Sequence, residues 1–160
     1  KKVGYGTTVK PDKYDSALLY GLEAGKYRLA LKTPKDQIIN IEYTRDKSKK
    51  KAAYKKSKAI NLKSDIDNIY TSTEKAARWY KASVSSTKKR KAVTLSKDSV
   101  GGGFKFCVYQ KGKRLKTVKV TKNDKVKTVK LPKKKGAYYV KVTKLTSKTT
   151  GAYYLGTYTY

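Results

Sequence analysis

Histidine and methionine are absent from this chain, and cysteine occurs once, at Cys107. Without histidine the chain lacks the side chain most often used as a general base near neutral pH and the commonest protein ligand for metals. One thiol and no imidazole exclude a Cys–His nucleophile pair, ordinary zinc sites and any disulfide within the chain. Acids are scarce as well. The 11 Asp and Glu are outnumbered by 41 Lys and Arg, for a formal net charge of +30. The carboxylates stand mostly singly at turns, and no spacing pairs them as a glycosidase pairs its acid and nucleophile. No apolar run is long enough to span a bilayer as a helix. The triplet Gly101-Gly102-Gly103 is followed by no Lys-Ser or Lys-Thr pair, so it reads as a close hairpin approach or a bulge rather than a phosphate loop. These absences predict no catalytic residue, no cofactor and no metal.

Lysine and tyrosine are what the chain has in abundance. Only five of the cations are arginine. Lysine is a compact, hydrated point charge, whereas arginine makes planar, bidentate contacts to phosphates and guanines. A lysine-dominated surface therefore suits diffuse attraction to a dense anionic polymer better than reading of bases. The 15 tyrosines supply apolar area that the 2 phenylalanines and single tryptophan do not. At 160 residues the chain can bury roughly 70% of its unfolded surface, enough for a real core.

The last third, from Ser99 onward, shows period-2 alternation and no helical spacing. Phe104, Phe106 and Val108 share one face of a strand. Lys111-Gly112 is a turn, and Arg114 to Val120 returns with Val118 and Val120 on one side. A strand over 126–131 follows Asn123-Asp124, a turn-prone pair. Pro132 to Gly136 is a loop. A strand over 137–142 places Tyr138, Val140 and Val142 on one side and Tyr139 and Lys141 on the other. Gly151 opens a last strand on which Tyr154, Tyr158 and Tyr160 share a face. Cys107 is expected as a buried, inert thiol.

Earlier in the chain, Arg78 to Val84 reads as a strand whose Trp79 belongs to the core. Lys88-Lys89-Arg90 caps a hairpin from which Ala92 to Leu95 returns. Short strands are expected over 59–62 and 69–71, with a turn over 64–68. Residues 46–58 form a charge run, read as a basic linker with room for a short helix around Ala52 to Tyr54. Residues 1–45 hold further candidate strands, over 3–9, 17–20, 27–31 and 38–43. They are added strands or a divergent partial repeat, since LEAGKYRLALKT has the form of LPKKKGAYYVKVTK. The fold class expected is all-β, an antiparallel and jelly-roll-like β-sandwich with extra N-terminal strands.

Over residues 59–160 the ordered segments AINLKSDI, ARWYKASV, AVTLS, FKFCVYQKGKRL, LPKKKGAYYVKV and GAYYLGTY resemble the bacterial pre-peptidase C-terminal domain. That is a β-sandwich module of secreted proteins. The resemblance implies a non-catalytic module of an exported protein, secreted or held at the cell surface. It departs at Arg78, where the family usually has an acid, and over 101–104, where aspartates are common. Collagen-binding relatives hold calcium in a carboxylate cluster. Here Asp65 and Asp67 are the single close pair, and two carboxylates among lysines are too few oxygens for that ion.

The binding residues expected are Lys133, Lys134 and Lys135 in one loop, Lys119 and Lys141 on an outer sheet face, and Tyr139 and Tyr153 as exposed rings. The partner expected is an anionic polysaccharide or cell-wall polymer. A host or bacterial surface protein is a further partner class, and nucleic acid is bound only without sequence preference. Two other readings stand beside this one. The chain is a structural module of a larger surface adhesin, with charge serving solubility, or a non-specific nucleic-acid binder.

Overall fold

β-Branched and aromatic residues alternate with lysine along most of the C-terminal two thirds, and those segments pair as strands. The structure, a computed structural model, describes residues 53–63, 68–71, 77–121, 123–147 and 149–160, with Lys26 and Arg28. Those two positions apart, the strands expected before residue 45 lie outside the described residues, as does the Asp65–Asp67 pair. The strands are β1 (Ile60–Asn61), β2 (Asn68–Thr71), β3 (Arg78–Val84), β4 (Lys91–Gly101), β5 (Phe104–Gln110), β6 (Lys113–Val120), β7 (Val126–Lys130), β8 (Gly136–Lys144) and β9 (Thr150–Thr159). Among the described residues, helix is limited to one 3-10 turn, Lys56–Lys58.

Two sheets form the expected β-sandwich. One has five strands in the order β1-β3-β8-β5-β6, and the other has four in the order β2-β9-β4-β7. Every ladder is antiparallel except β1 with β3, which is parallel. The β5–β6 hairpin turns on Lys111 (φ 47°) and Gly112 (φ 81°). Positive φ at both positions matches the twist of the flanking strands, and glycine takes the second without a Cβ clash.

Alternation decides which residues fill the space between the sheets. Tyr80, Ala82 and Val84 of β3, Phe104, Phe106 and Val108 of β5, and Tyr138, Val140 and Val142 of β8 point inward from the five-stranded sheet. Val93 and Leu95 of β4, Val129 of β7, and Tyr153 and Leu155 of β9 meet them from the four-stranded sheet. Each fully buried Val, Leu or Phe stabilises the fold by roughly 1.5–3 kcal/mol. The hydroxyls of Tyr80 and Tyr153 share one hydrogen bond across the core at 2.5 Å, so neither buried hydroxyl is left without a partner. Phe104 packs on Tyr153 with ring centroids 4.8 Å apart.

Three expectations change. Lys88-Lys89-Arg90 caps no hairpin, because β3 and β4 lie in different sheets and the loop carries the chain over the end of the sandwich. Val84 and Val93 both need the core, and separate sheets bring both to it. Within the described end of the expected linker, Ala53 is buried and its carbonyl accepts the Trp79 backbone N–H at 2.8 Å, while Tyr54, Lys55, Ser57 and Lys58 are exposed. Trp79 lies on the outer face of β3, since its neighbour Tyr80 takes the inward phase with Ala82 and Val84. Tyr153 is not an exposed ring. It is 2% exposed, because Leu155 two positions on shares its face and that face meets the core. Tyr154 takes the outer position instead.

Candidate functional site

The registers fix what the outer face of the five-stranded sheet presents. One row across four strands is Lys81, Tyr139, Tyr109 and Arg114. The next is Trp79, Lys141, Cys107 and Thr117, and Thr143, Lys105 and Lys119 lie beyond it. This face therefore interleaves aromatic rings with cations. Trp79 and Tyr109 sit with ring centroids 5.5 Å apart, tilted by 46°. Lys141 Nζ lies 5.5 Å from the Trp79 ring centre. Lys56 Nζ, carried by the 3-10 turn, lies 4.7 Å from the Tyr139 ring centre. Ammonium over a ring face is attracted by the ring quadrupole.

Cys107 lies in the middle of this face. It is buried, and its sulfur is 3.3 Å from Thr117 Oγ1. Partial burial, and then the neighbouring thiol, push the Tyr109 hydroxyl above its ordinary value, while Arg114 pulls it back. The Tyr109 hydroxyl thus keeps its proton at physiological pH.

The second feature is one end of the sandwich. Val84 pairs with Gly136, Gln110 with Tyr138 and with Lys113, and Lys91 with Thr159. Three connections therefore meet at the same end: 85–90, 111–112 and 131–135. They bring together Lys88, Lys89, Arg90, Lys111, Lys133, Lys134 and Lys135, with Lys113 at the start of β6, and every one is exposed. None of these described loops carries an acid. A shallow cleft of about 170 Å³ opens there between Val84, Ser85, Ser86, Lys89 and Arg90.

The 131–135 loop is anchored from below. The Tyr138 hydroxyl donates to Lys134 O at 2.9 Å, with Pro132 O 3.3 Å away. Tyr138 is fully buried, and burial pushes its hydroxyl above the ordinary value, which keeps the proton on the donor. The lysine loop is therefore anchored through its backbone while its three lysines are exposed.

The expected site residues divide accordingly. Lys119, Lys141 and Tyr139 lie on the outer face of the five-stranded sheet. Lys133, Lys134 and Lys135 lie at the basic end, next to the row that starts with Lys81. Tyr153 belongs to neither. Sequence reasoning missed Trp79, Tyr109, Lys56, Lys81 and Arg114 on the face, and Lys88, Lys89, Arg90, Lys111 and Lys113 at the end. The outward phase of Trp79 was signalled by Tyr80, Ala82 and Val84, which outweigh one large ring. The meeting of the loops has no local signal.

Among the described residues no three His, Cys, Asp or Glu side chains gather as metal ligands. No helix among them is long and apolar enough to cross a membrane. What the arrangement can do is attract and hold negative charge, with rings beside the charge.

No family model matches the chain. No curated protein matches it either. Among solved structures, the chain is similar to the pre-peptidase C-terminal domain of a collagenase from Bacillus anthracis. The two are 15% identical with a TM-score of 0.48, over 62% of this chain and 93% of that one. A likeness at that distance assigns no ligand.

Proposed function

We propose that this chain is a non-catalytic binding module that attaches an exported bacterial protein to an anionic polymer, such as a cell-wall polymer or an acidic surface polysaccharide. The observation that carries the reading is the basic end, where described connections far apart in sequence, none of which contains an acid, bring exposed cations together. Like charges so gathered destabilise the fold slightly and attract polyanions over a Debye length. The ordered resemblance over residues 59–160 supports the exported setting. The excess of lysine over arginine supports a repeating anionic polymer rather than a base sequence.

The test is a salt series on the binding of heparin-like polymer, purified cell wall and duplex DNA. Affinity for the favoured polymer is expected to fall steeply with salt, because each neutralised anion releases a counterion. Replacing Lys133, Lys134 and Lys135 with Gln should lower both the affinity and the magnitude of the salt slope and leave the melting temperature nearly unchanged. Equal binding by the variant and the parent at every salt concentration would remove this loop from any binding site. Binding to none of the polymers would overturn the reading as a whole.

A further inference from the structure

Charge alone does not account for the outer face of the five-stranded sheet. Trp79, Tyr109 and Tyr139 stand on three adjacent strands, each half-buried, so each presents part of its ring outward. A solvated sheet surface of a highly charged protein has no need of them: elsewhere on this sheet the outward positions include Ser83, Thr117, Thr143, Lys105 and Lys119, none of them aromatic. Neighbouring strands lie about 4.8 Å apart, so the row from Lys81 through Tyr139 and Tyr109 to Arg114 extends roughly 14 Å across the sheet. A cation closes the row at each end. Lys56 lies over the Tyr139 ring, and in the next row Lys141 lies over Trp79.

We propose that this face is a stacking platform for the sugar rings of an acidic polysaccharide. The proposal rests on the polyanion reading above and names the class of polymer. A pyranose ring offers an apolar face of C–H groups, which suits an aromatic ring. Its carboxylate or sulfate lies at the ring's edge, where a lysine beside that aromatic ring reaches it. The platform supplies both at adjacent register positions: Trp79 beside Lys141, and Tyr139 beside Lys81 with Lys56 over it. The ammonium groups ride on flexible four-carbon stems and can leave the ring face for the acid group. Nucleic-acid bases also stack on aromatic rings. A lysine-rich face with one described arginine in the row offers a base few of the planar, bidentate contacts that read it, so the saccharide is favoured. Of the rows that cross four strands the Lys81 row is nearest the basic end, with Ser83 and Ala137 between. A polymer lying across the face thus continues toward Lys111 and Lys133 to Lys135.

Trp79 is the single tryptophan of the chain, so its fluorescence reports this face directly. The full chain is titrated with a heparin-derived oligosaccharide, with polyphosphate as a polyanion lacking rings, with oligo-dT as a polyanion with bases, and with neutral dextran. The oligosaccharide is expected to shift Trp79 emission and shield it from a neutral quencher, whereas polyphosphate binds without doing either. Tyr139→Ala should weaken the oligosaccharide about tenfold, as loss of a stacking ring does, and leave polyphosphate affinity unchanged. The wild-type titration needs no variant, so a Tyr139→Ala chain that fails to fold does not remove the test. If both polyanions bind and Trp79 responds to neither, the platform is overturned while the polyanion reading stands. Shielding of Trp79 by oligo-dT but not by the oligosaccharide makes the face a nucleic-acid surface and also overturns it. If neither polyanion binds, the underlying reading falls, and the platform with it. Dextran that shields Trp79 as strongly as heparin sinks the acidic part of the proposal.

Discussion

At one end of the sandwich the chain turns through Lys88 to Arg90, Lys111-Gly112 and Pro132 to Lys135. At the other it turns through Gly102-Gly103, Thr121 to Lys125 and Thr146 to Thr149. At the second end side chains tie the turns together, although Thr121, Asn123, Lys125, Thr146 and Ser147 are themselves exposed. Thr149 is fully buried; its hydroxyl donates to Gly103 O at 3.1 Å, and its Oγ1 accepts from the Gly103 N–H at 3.3 Å. Leu145 donates its backbone N–H to Gly103 O at 2.9 Å. Asp124 accepts from the Thr121 amide at 2.9 Å, from the Thr121 hydroxyl at 2.7 Å and from Lys127 at 2.8 Å. The basic end has its inward bonds too, from Tyr138 to the 131–135 loop and from Lys91 Nζ to Ser83 O. Its loop cations nonetheless point to solvent. One end closes the fold and the other presents charge, although neither contains a helix or a disulfide.

The largest expected effect comes from the closing end. A Cβ on Gly103 would lie 2.1 Å from Val120 O and 3.0 Å from Thr121 Cα, both backbone atoms that cannot swing aside. Gly103→Ala should destabilise the fold by about 3 kcal/mol, in the upper range for overpacking. Urea unfolding measures it. A loss under 1 kcal/mol would mean that this end gives way easily, and the contrast between the ends would lose its basis. Thr149→Val comes next, since it keeps the shape and removes the buried hydroxyl. The Gly103 amide and carbonyl both lose a partner, at about 2 kcal/mol. Neither substitution touches the basic end, so polymer affinity per folded molecule should not change.

The opposite substitution sharpens the comparison from the other side. Lys134→Glu and Lys125→Glu change the net charge equally, one at each end, and both residues are exposed. If affinity follows net charge, the two variants weaken together. If it follows the gathered loops, Lys134→Glu should weaken heparin-like polymer on the order of tenfold at physiological salt, and Lys125→Glu far less. Melting temperatures of both should stay close to the parent.

How much of this was legible in the sequence depends on distance along the chain. β5, β6, β7 and β8 follow from alternation and from the Lys111-Gly112 turn, because those signals are local. Tyr139, Lys141 and Lys119 were placed on an outer face for the same reason. Phase is harder where two aromatic residues are adjacent, since either can face inward. In Tyr153-Tyr154 the following Leu155 sets the phase, and in Trp79-Tyr80 Ala82 and Val84 do; weighing ring size above those neighbours misplaces both pairs. The basic end was legible only as the Lys133 to Lys135 run. Its union with Lys88, Lys89 and Lys111 depends on β8 pairing with both β3 and β5. That pairing is a property of the whole core and leaves no mark on any one segment.

The smallest effect belongs to Asp124, and it is the one that depends on pH. Hydrogen bonds from Lys127 first, and from the hydroxyl and amide of Thr121, hold its carboxyl well below the ordinary value of 3.8. A carboxyl whose folded pKa is depressed adds stability that is fully present above the unfolded value and is lost as pH falls through the folded one. The contribution should therefore be complete at neutral pH and fade below about pH 4. Asp124→Asn removes the charge at every pH, so the variant should be slightly less stable than the parent at pH 7. The gap should narrow as the pH is lowered past 4, because the unfolded chain's carboxyl takes up its proton there while the folded one does so only at still lower pH. Other carboxylates titrate in the same window, which makes the difference between the two proteins the informative quantity. Added salt should shrink the part due to Lys127, which is exposed, and spare the part due to Thr121. Paired melting curves at pH 7 and pH 3, in low and high salt, separate these contributions. A gap that widens toward acid would mean that Asp124 repels something in the folded state rather than capping the turn between β6 and β7.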